Sequence, residues 1–163
     1  MSPLDNASVR RVQAALAAAG SPAEIVALAE TARSAADAAK ALGVELGAIV
    51  KSLVFAKGHA GAVIALVAGD RRCDLTALAK GLGLEETPRR ADAELVRATT
   101  GYAIGGVAPL GYPAPLPVAI DPSLGRFARL WAAAGHPHCV FPTDLAELVR
   151  ITSAVAVAEL GQA

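Results

Sequence analysis

The chain has 163 residues, 54% of them hydrophobic, enough for one well-buried core and too few for two comfortable domains, so a single domain over residues 1–163 is expected. Lysine and arginine total 15, as do aspartate and glutamate, and the resulting net charge of +0 argues against a protein that grips long stretches of DNA or other nucleic acid through many phosphates. Aromatic residues make up only 4%, which leaves no visible stacking platform for bases and a core of Ala, Val, Leu and Ile.

The N-terminal "MSPLDNASVRRVQ" lacks the apolar segment of a secretory signal, and the longest apolar run, "AVIALVAG", falls far short of a membrane span, so a cytoplasmic protein with no membrane contact is expected. Cys73 and Cys139 then read as reduced thiols, since no Cys-x-x-Cys or Cys/His ligand spacing occurs.

Along residues 5–19, "DNASVRRVQAALAAA", Val9, Val12 and Leu16 recur at helical spacing ahead of Gly20, which predicts a helix. "EIVALAE" is short and apolar and predicts a strand. "TARSAADAAKALGV" follows, with Ser34 three residues before Asp37 and a glycine stop at Gly43, the marks of a second helix. Two β-rich runs, "AIVKSLVFAK" and "AGAVIALVAG", are separated by "GHAG" and predict a hairpin covered on both faces. Asp74 and Asp92 are placed to cap helices over "LTALAKGLG" and "AELVRATTG".

Residues 101–117, "GYAIGGVAPLGYPAPLP", contain four glycines and four prolines and lead into "LPVAID", a strand ending at Asp121. "RLWAAAG" and "HCVF" predict a further hairpin with "HP" at its turn. Thr143 is expected to cap a last helix, "DLAELVRI", and "AVAVAEL" reads as a closing strand or tail. Strands and helices alternate without a regular βαβ rhythm, so the expected fold class is α/β of the mixed α+β kind, a mixed sheet surrounded by helices.

Strand alternation puts Ile49, Lys51, Leu53 and Phe55 on one face. A lysine among apolar neighbours either snorkels to water or sits at a pocket mouth, where its ammonium would bind a phosphate or carbonyl oxygen. "GGVAP" fits neither a dinucleotide fingerprint nor a Walker loop. It is either a tight connection or a source of main-chain N–H groups, from Gly106, Val107 and Ala108, that face a cleft as in an oxyanion hole. The pairs Arg10-Arg11, Arg71-Arg72 and Arg89-Arg90 read as solvated surface. His59, His136 and His138 are too scattered to suggest a metal, and His136 and His138, flanking Pro137 in a turn, read as surface residues or as the lining of a pocket.

Taken in order, "VKSLVF", "DLTALAKGLG", "TGYAIGGVAPLG" and "LPVAID" resemble the YbaK-type, or prolyl-tRNA-editing, family of aminoacyl-tRNA deacylases, over most of the chain from about Ser21 to "AVAVAEL". The resemblance implies a YbaK-like fold with a curved, mostly antiparallel sheet and hydrolysis of the ester of mischarged tRNA, here tRNA for proline carrying Ala, Cys, Ser or Thr. It implies that Lys51 is the essential lysine holding the tRNA terminus. It also makes Gly105, Gly106, Val107, Ala108 and Pro109 the loop whose backbone meets the ester. Asp121 matches an acidic position near the family pocket, Tyr112 is expected at a pocket edge, and His136 is expected to contact substrate. Asp74 needs no role beyond its cap. No cofactor and no metal are implied; the partners are the tRNA acceptor end and an aminoacyl-tRNA synthetase. The chemistry needs no protein nucleophile, because water or a group of the substrate can attack an already activated ester. The competing expectation is a non-catalytic module of the same fold that binds an aminoacyl or nucleotide ligand or docks on a synthetase. Retention of both Lys51 and "GGVAP" favours the enzyme.

Overall fold

The N-terminal helix α1 (Ala7–Ala18) buries Val9, Val12 and Leu16 and is capped by the Asn6 side chain, which accepts the Ser8 N–H at 2.8 Å. The computed structural model describes residues 2–163. The expected strand over residues 24–30 shrinks to β1 (Val26–Ala27), an edge strand held only by its partner. Helix α2 (Ala35–Leu42) has its N–H of Asp37 accepted by Ser34 Oγ at 3.1 Å, and it ends at Gly43. The hairpin follows as β2 (Ile49–Lys57) and β3 (Gly61–Ala68), paired antiparallel from Val50↔Ala68 to Lys57↔Gly61.

After β4 (Arg72–Cys73) come α3 (Leu75–Leu82), β5 (Arg89–Arg90) and α4 (Ala93–Thr100). Asp74 and Asp92 cap these helices as expected, accepting Ala77 N–H at 2.9 Å and Leu95 N–H at 2.8 Å. The glycine-proline segment then leads to β6 (Val118–Ile120), β7 (Leu130–Ala133), β8 (Cys139–Thr143), α5 (Leu145–Thr152), β9 (Val155–Ala156) and β10 (Gly161–Gln162). Thr143 does not cap α5: it stays in the ladder opposite Leu130, and Asp144 accepts the Glu147 N–H at 2.8 Å instead. Strands β4, β5 and β10 carry no periodic signal, because a pairing of two residues is created by its partner.

The main sheet runs β1-β8-β7-β2-β3-β6-β9, with β5 also on β2. It is mixed: β7 with β2, β3 with β6 and β6 with β9 are parallel, and the remaining pairs are antiparallel. Strand β3 lies inside it and is buried from Ala62 to Ala68, which is why its sequence is apolar at every position. Ile64 and Leu66 face the cluster containing α1 and Tyr102, whereas Val63, Ala65 and Val67 pack against Leu78 of α3.

Two buried polar groups brace what surrounds the sheet. Tyr102 is 0% exposed and donates its hydroxyl to Leu110 O at 2.7 Å, and Tyr112 meets it edge-on, ring centroids 6.3 Å apart, while donating to Ala108 O at 2.8 Å. The glycine-proline segment is therefore tied down from inside. Asp121, 2% exposed, accepts the Ala68 N–H at 3.1 Å, the Ser123 N–H at 2.8 Å and the Ser123 hydroxyl at 2.8 Å. It locks the end of β3 to the 3-10 turn Pro122–Arg126. Asp121→Ala strands these buried donors and is expected to lower the unfolding free energy by about 2–4 kcal/mol in urea titrations.

Candidate active site

The outer edge of β2 is paired at its two ends and open between them. Strand β7 pairs with Ile49 and Val50, and β5 pairs with Phe55 and Ala56. Lys51, Ser52 and Leu53 have no ladder partner on that side among the described residues. Val54 O faces the open edge and accepts Ala91 N–H at 3.4 Å, so the two-residue period turns the N–H and C=O of Ser52 the same way. A cleft of about 790 Å³ fills this opening. Ser52 lines it, and its Oγ is buried with no hydrogen-bond partner among the described residues.

Lys51 also lines the cleft, half-buried. Leu53 and Phe55 pack with the α3 cluster and Ile49 with the α2 cluster, so the lysine stem lies between two apolar groups on the face the alternation predicts. Its ammonium donates to Arg71 O. Burial pushes the Lys51 pKa below its ordinary value, opposed chiefly by the Asp70 carboxylate. Asp70 is engaged elsewhere, in a two-point contact with Arg126 at 3.0 and 2.8 Å. Cys73, another lining residue, has its thiol pushed up to about 11, chiefly by burial, which leaves it protonated and a poor nucleophile.

The "GGVAP" loop contributes Gly105 and Val107 to the lining, but not Gly106, Ala108 or Pro109. Gly105 has φ +95°, a conformation glycine adopts without strain. Gly106 is buried, and a Cβ there would stand 2.9 Å from His136 N and 3.0 Å from Gly135 C, so its hydrogen lets the loop press against the neighbouring hairpin. The expected amide of Gly106 is spent on a turn, donating to Ala103 O at 3.1 Å. No hydrogen bond among the described residues uses the N–H of Gly105, Val107 or Ala108. Of these, the amides of Gly105 and Val107 belong to cleft-lining residues.

On the opposite wall the β7–β8 hairpin presents His136 to the cleft. Its turn is closed by Cys139 N–H to His136 O at 2.9 Å and Ala134 N–H to Cys139 O at 2.9 Å. The segment after β1 pins it from outside, through Leu28 N–H to His138 O at 2.6 Å and Ala32 N–H to Pro137 O at 2.8 Å.

Lys51, Gly105, Val107 and His136 thus share one cleft. Tyr112 and Asp121 lie outside its lining: the first braces the loop and the second holds a strand end, because both hydrogen-bonding groups are used within the fold. Sequence reasoning passed over Arg33, Arg72 and Arg90, all of which line the rim. None of the three forms an ion pair among the described residues, and no aspartate or glutamate lines the cleft beside them. The doublets Arg71-Arg72 and Arg89-Arg90 carried the only available signal, and it became specific when β4 and β5 brought one arginine of each to the same opening. Among the described residues no group of three or more His, Cys, Asp or Glu side chains is arranged to hold a metal, and no helix is long and apolar enough to cross a membrane.

Residues 29–151 match the model of a family described as aminoacyl-tRNA editing domain. A protein of Enterococcus faecalis described as a candidate Cys-tRNA(Pro)/Cys-tRNA(Cys) deacylase, EbsC, is 33% identical over 102 residues, 63% of this chain and 62% of that protein. The chain thus covers less than two thirds of that relative's length. The uncharacterized protein YwhH of Bacillus subtilis is 35% identical over 114 residues, 68% of this chain and 71% of its own. A crystal structure of a candidate trans-editing enzyme for prolyl-tRNA synthetase superposes with a TM-score of 0.86 at 40% identity, covering 97% of this chain and 98% of the other. The chain therefore belongs to the aminoacyl-tRNA editing domain family, in its YbaK type.

Proposed function

We propose that the protein is a trans-editing hydrolase that deacylates mischarged aminoacyl-tRNA, with tRNA for proline carrying Ala, Cys, Ser or Thr as the substrate class. The observation that carries this reading is the charge of the cleft: Arg33, Lys51, Arg72 and Arg90 line it with no carboxylate, on a chain whose formal net charge is +0. Four cations around one opening suit a short polyanion such as the acceptor end of tRNA. With a net charge of +0 overall, the rest of the chain is net negative, which suits a protein that holds only that end, with a synthetase as its working partner. The names of the Enterococcus relative and of the superposed crystal structure agree with this class.

In the reaction, a water oxygen forms a bond to the ester carbon and the carbon–oxygen bond to the tRNA ribose breaks. Of the two water protons, one ends on the ribose hydroxyl and the other is released as the amino acid leaves as a carboxylate. Lys51 anchors the phosphate or ribose oxygens of the terminal nucleotide as a point charge. The unpartnered N–H groups of Gly105 and Val107 stabilise the oxyanion that develops on the carbonyl oxygen. Ser52 Oγ, buried without a partner among the described residues, is available to a polar group of the substrate or to water.

The test is a deacylation panel of tRNAs charged with Ala, Cys, Ser, Thr and Pro. At least one ester is expected to be hydrolysed faster than in buffer; no acceleration of any would overturn the reading. Lys51→Ala is expected to lower kcat/KM by about 10²–10³-fold, with little change in unfolding midpoint. Arg72→Gln and Arg90→Gln are expected to act mainly on KM. Each should reduce the slope of log affinity against log salt by about 0.7–0.9 for every phosphate left without its cation, measured by tRNA binding from low to physiological salt.

A further inference from the structure

The sharpest chemical constraint in the cleft sits on His136. The main-chain N–H of His138 donates to His136 Nδ1 at 3.0 Å. A nitrogen that accepts a hydrogen bond carries no proton, so the neutral ring must hold its hydrogen on Nε2. Nε2 has no hydrogen-bond partner among the described residues, and the ring lines the cleft.

The lock is built into the turn rather than into a mobile side chain. His138 N–H is fixed because its own carbonyl accepts from Leu28 N–H and the preceding carbonyl, of Pro137, accepts from Ala32 N–H. The His138 ring is held too: its Nδ1 lies 3.2 Å from Leu28 O, which can only accept, and the ring leans on His136 with centroids 5.4 Å apart. Where the glycine-proline loop meets this hairpin, the close approach of Gly106 to His136 N holds the backbone from the other side.

We propose that His136 is a fixed, neutral hydrogen-bond donor through Nε2, locked in that tautomer by the main-chain N–H of His138, and that it bonds the ester carbonyl oxygen of the substrate instead of serving as a general base. The substrate half of this statement rests on the deacylase reading; the tautomer half does not. A general base must present a bare nitrogen to the attacking water, and the one bare nitrogen of this ring is already occupied by the His138 N–H. Protonating Nδ1 would set two N–H groups against each other.

The charged surroundings act in the same direction. Burial holds the His136 pKa below the ordinary histidine value, followed by the influence of His138 on its own hairpin and of Arg33 on the segment leading into α2. The other titratable or charged groups lining the cleft are Lys51 from β2, Arg72 and Cys73 from β4, Arg90 from β5 and Cys139 from β8, with no carboxylate to stabilise an imidazolium. The GGVAP loop adds no charge.

Two measurements test the two halves. In NMR of the histidine ring nitrogens of the full chain at neutral pH, the His136 signals are assigned by their loss in His136→Gln. Nε2 is expected in the protonated range and Nδ1 in the unprotonated one. The reverse pattern, or an averaged pair, would overturn the lock. In the deacylation assay, His136→Gln keeps an amide N–H near the Nε2 position but has no base. It is expected to stay within about fivefold of wild type, whereas His136→Asn and His136→Ala fall by about 10²–10³-fold. If His136→Gln falls as far as His136→Ala while its spectrum stays folded, or if all three variants remain active, the donor role is wrong and the deacylase reading stands. If the wild-type protein hydrolyses no ester, that reading and the donor role fall together, and the ring NMR still decides the tautomer.

Discussion

An incomplete ladder along one strand organises the whole molecule. Strand β2 satisfies one edge fully against β3, but on the other it meets β7 at Ile49 and Val50 and β5 at Phe55 and Ala56, with an unpaired stretch between. An exposed sheet edge normally invites pairing with another chain. Here the opening is walled by the β7–β8 hairpin on one side and by the segment from β5 to the glycine-proline loop on the other. The unpaired main chain of Ser52, its orphaned hydroxyl and the free amides of Gly105 and Val107 all sit around it. Under the proposed function, these main-chain groups would meet the ester and ribose, the parts common to every aminoacyl-tRNA, and choice among amino acids would fall to the side chains of the walls.

The electrostatics follow from how the acids are spent. Asp74, Asp92 and Asp144 cap helices, Asp121 holds a strand end, and Asp5, Asp70 and Glu147 pair with Arg10, Arg126 and Arg150. Those uses place carboxylates at helix N-termini and along the outer surface. What remains around the cleft is positive, so a chain with no net charge still offers a local field to a polyanion. The exposed arginines act through water, where salt screens them, whereas the half-buried Lys51 is screened less.

Rigidity completes the site. The tyrosine pair holds the glycine-proline loop from beneath, Gly106 lets that loop touch the histidine hairpin, and the segment after β1 ties down the same hairpin. Under the proposed function, donors fixed before the substrate arrives would need no reorganisation when charge develops on the ester oxygen.

The helices and the central hairpin were legible in the sequence because caps and periodicity are local. Asn6, Ser34, Asp74 and Asp92 each sit next to the backbone they satisfy, and the unbroken apolar run of β3 can lie only inside a covered sheet. Lys51 stood out for the same reason, as one charge on an apolar strand face, and the order of motifs identified the family. Contacts between residues distant in the chain were not legible. That Asp121 serves Ala68, that Tyr112 serves Ala108 from within a braced loop, that Gly106 spends its amide on Ala103, and that Arg33, Arg72 and Arg90 meet at one rim depend on pairings of two residues and on close approaches. Such pairings leave no period in the sequence. Thus the sequence by itself determined the helices, the central hairpin and the family, through interactions a few residues long, and it singled out Lys51 as an anomaly. The tertiary structure alone decided which hydrogen-bonding groups remain free for a substrate, because a donor's availability depends on every neighbour that folding brings to it.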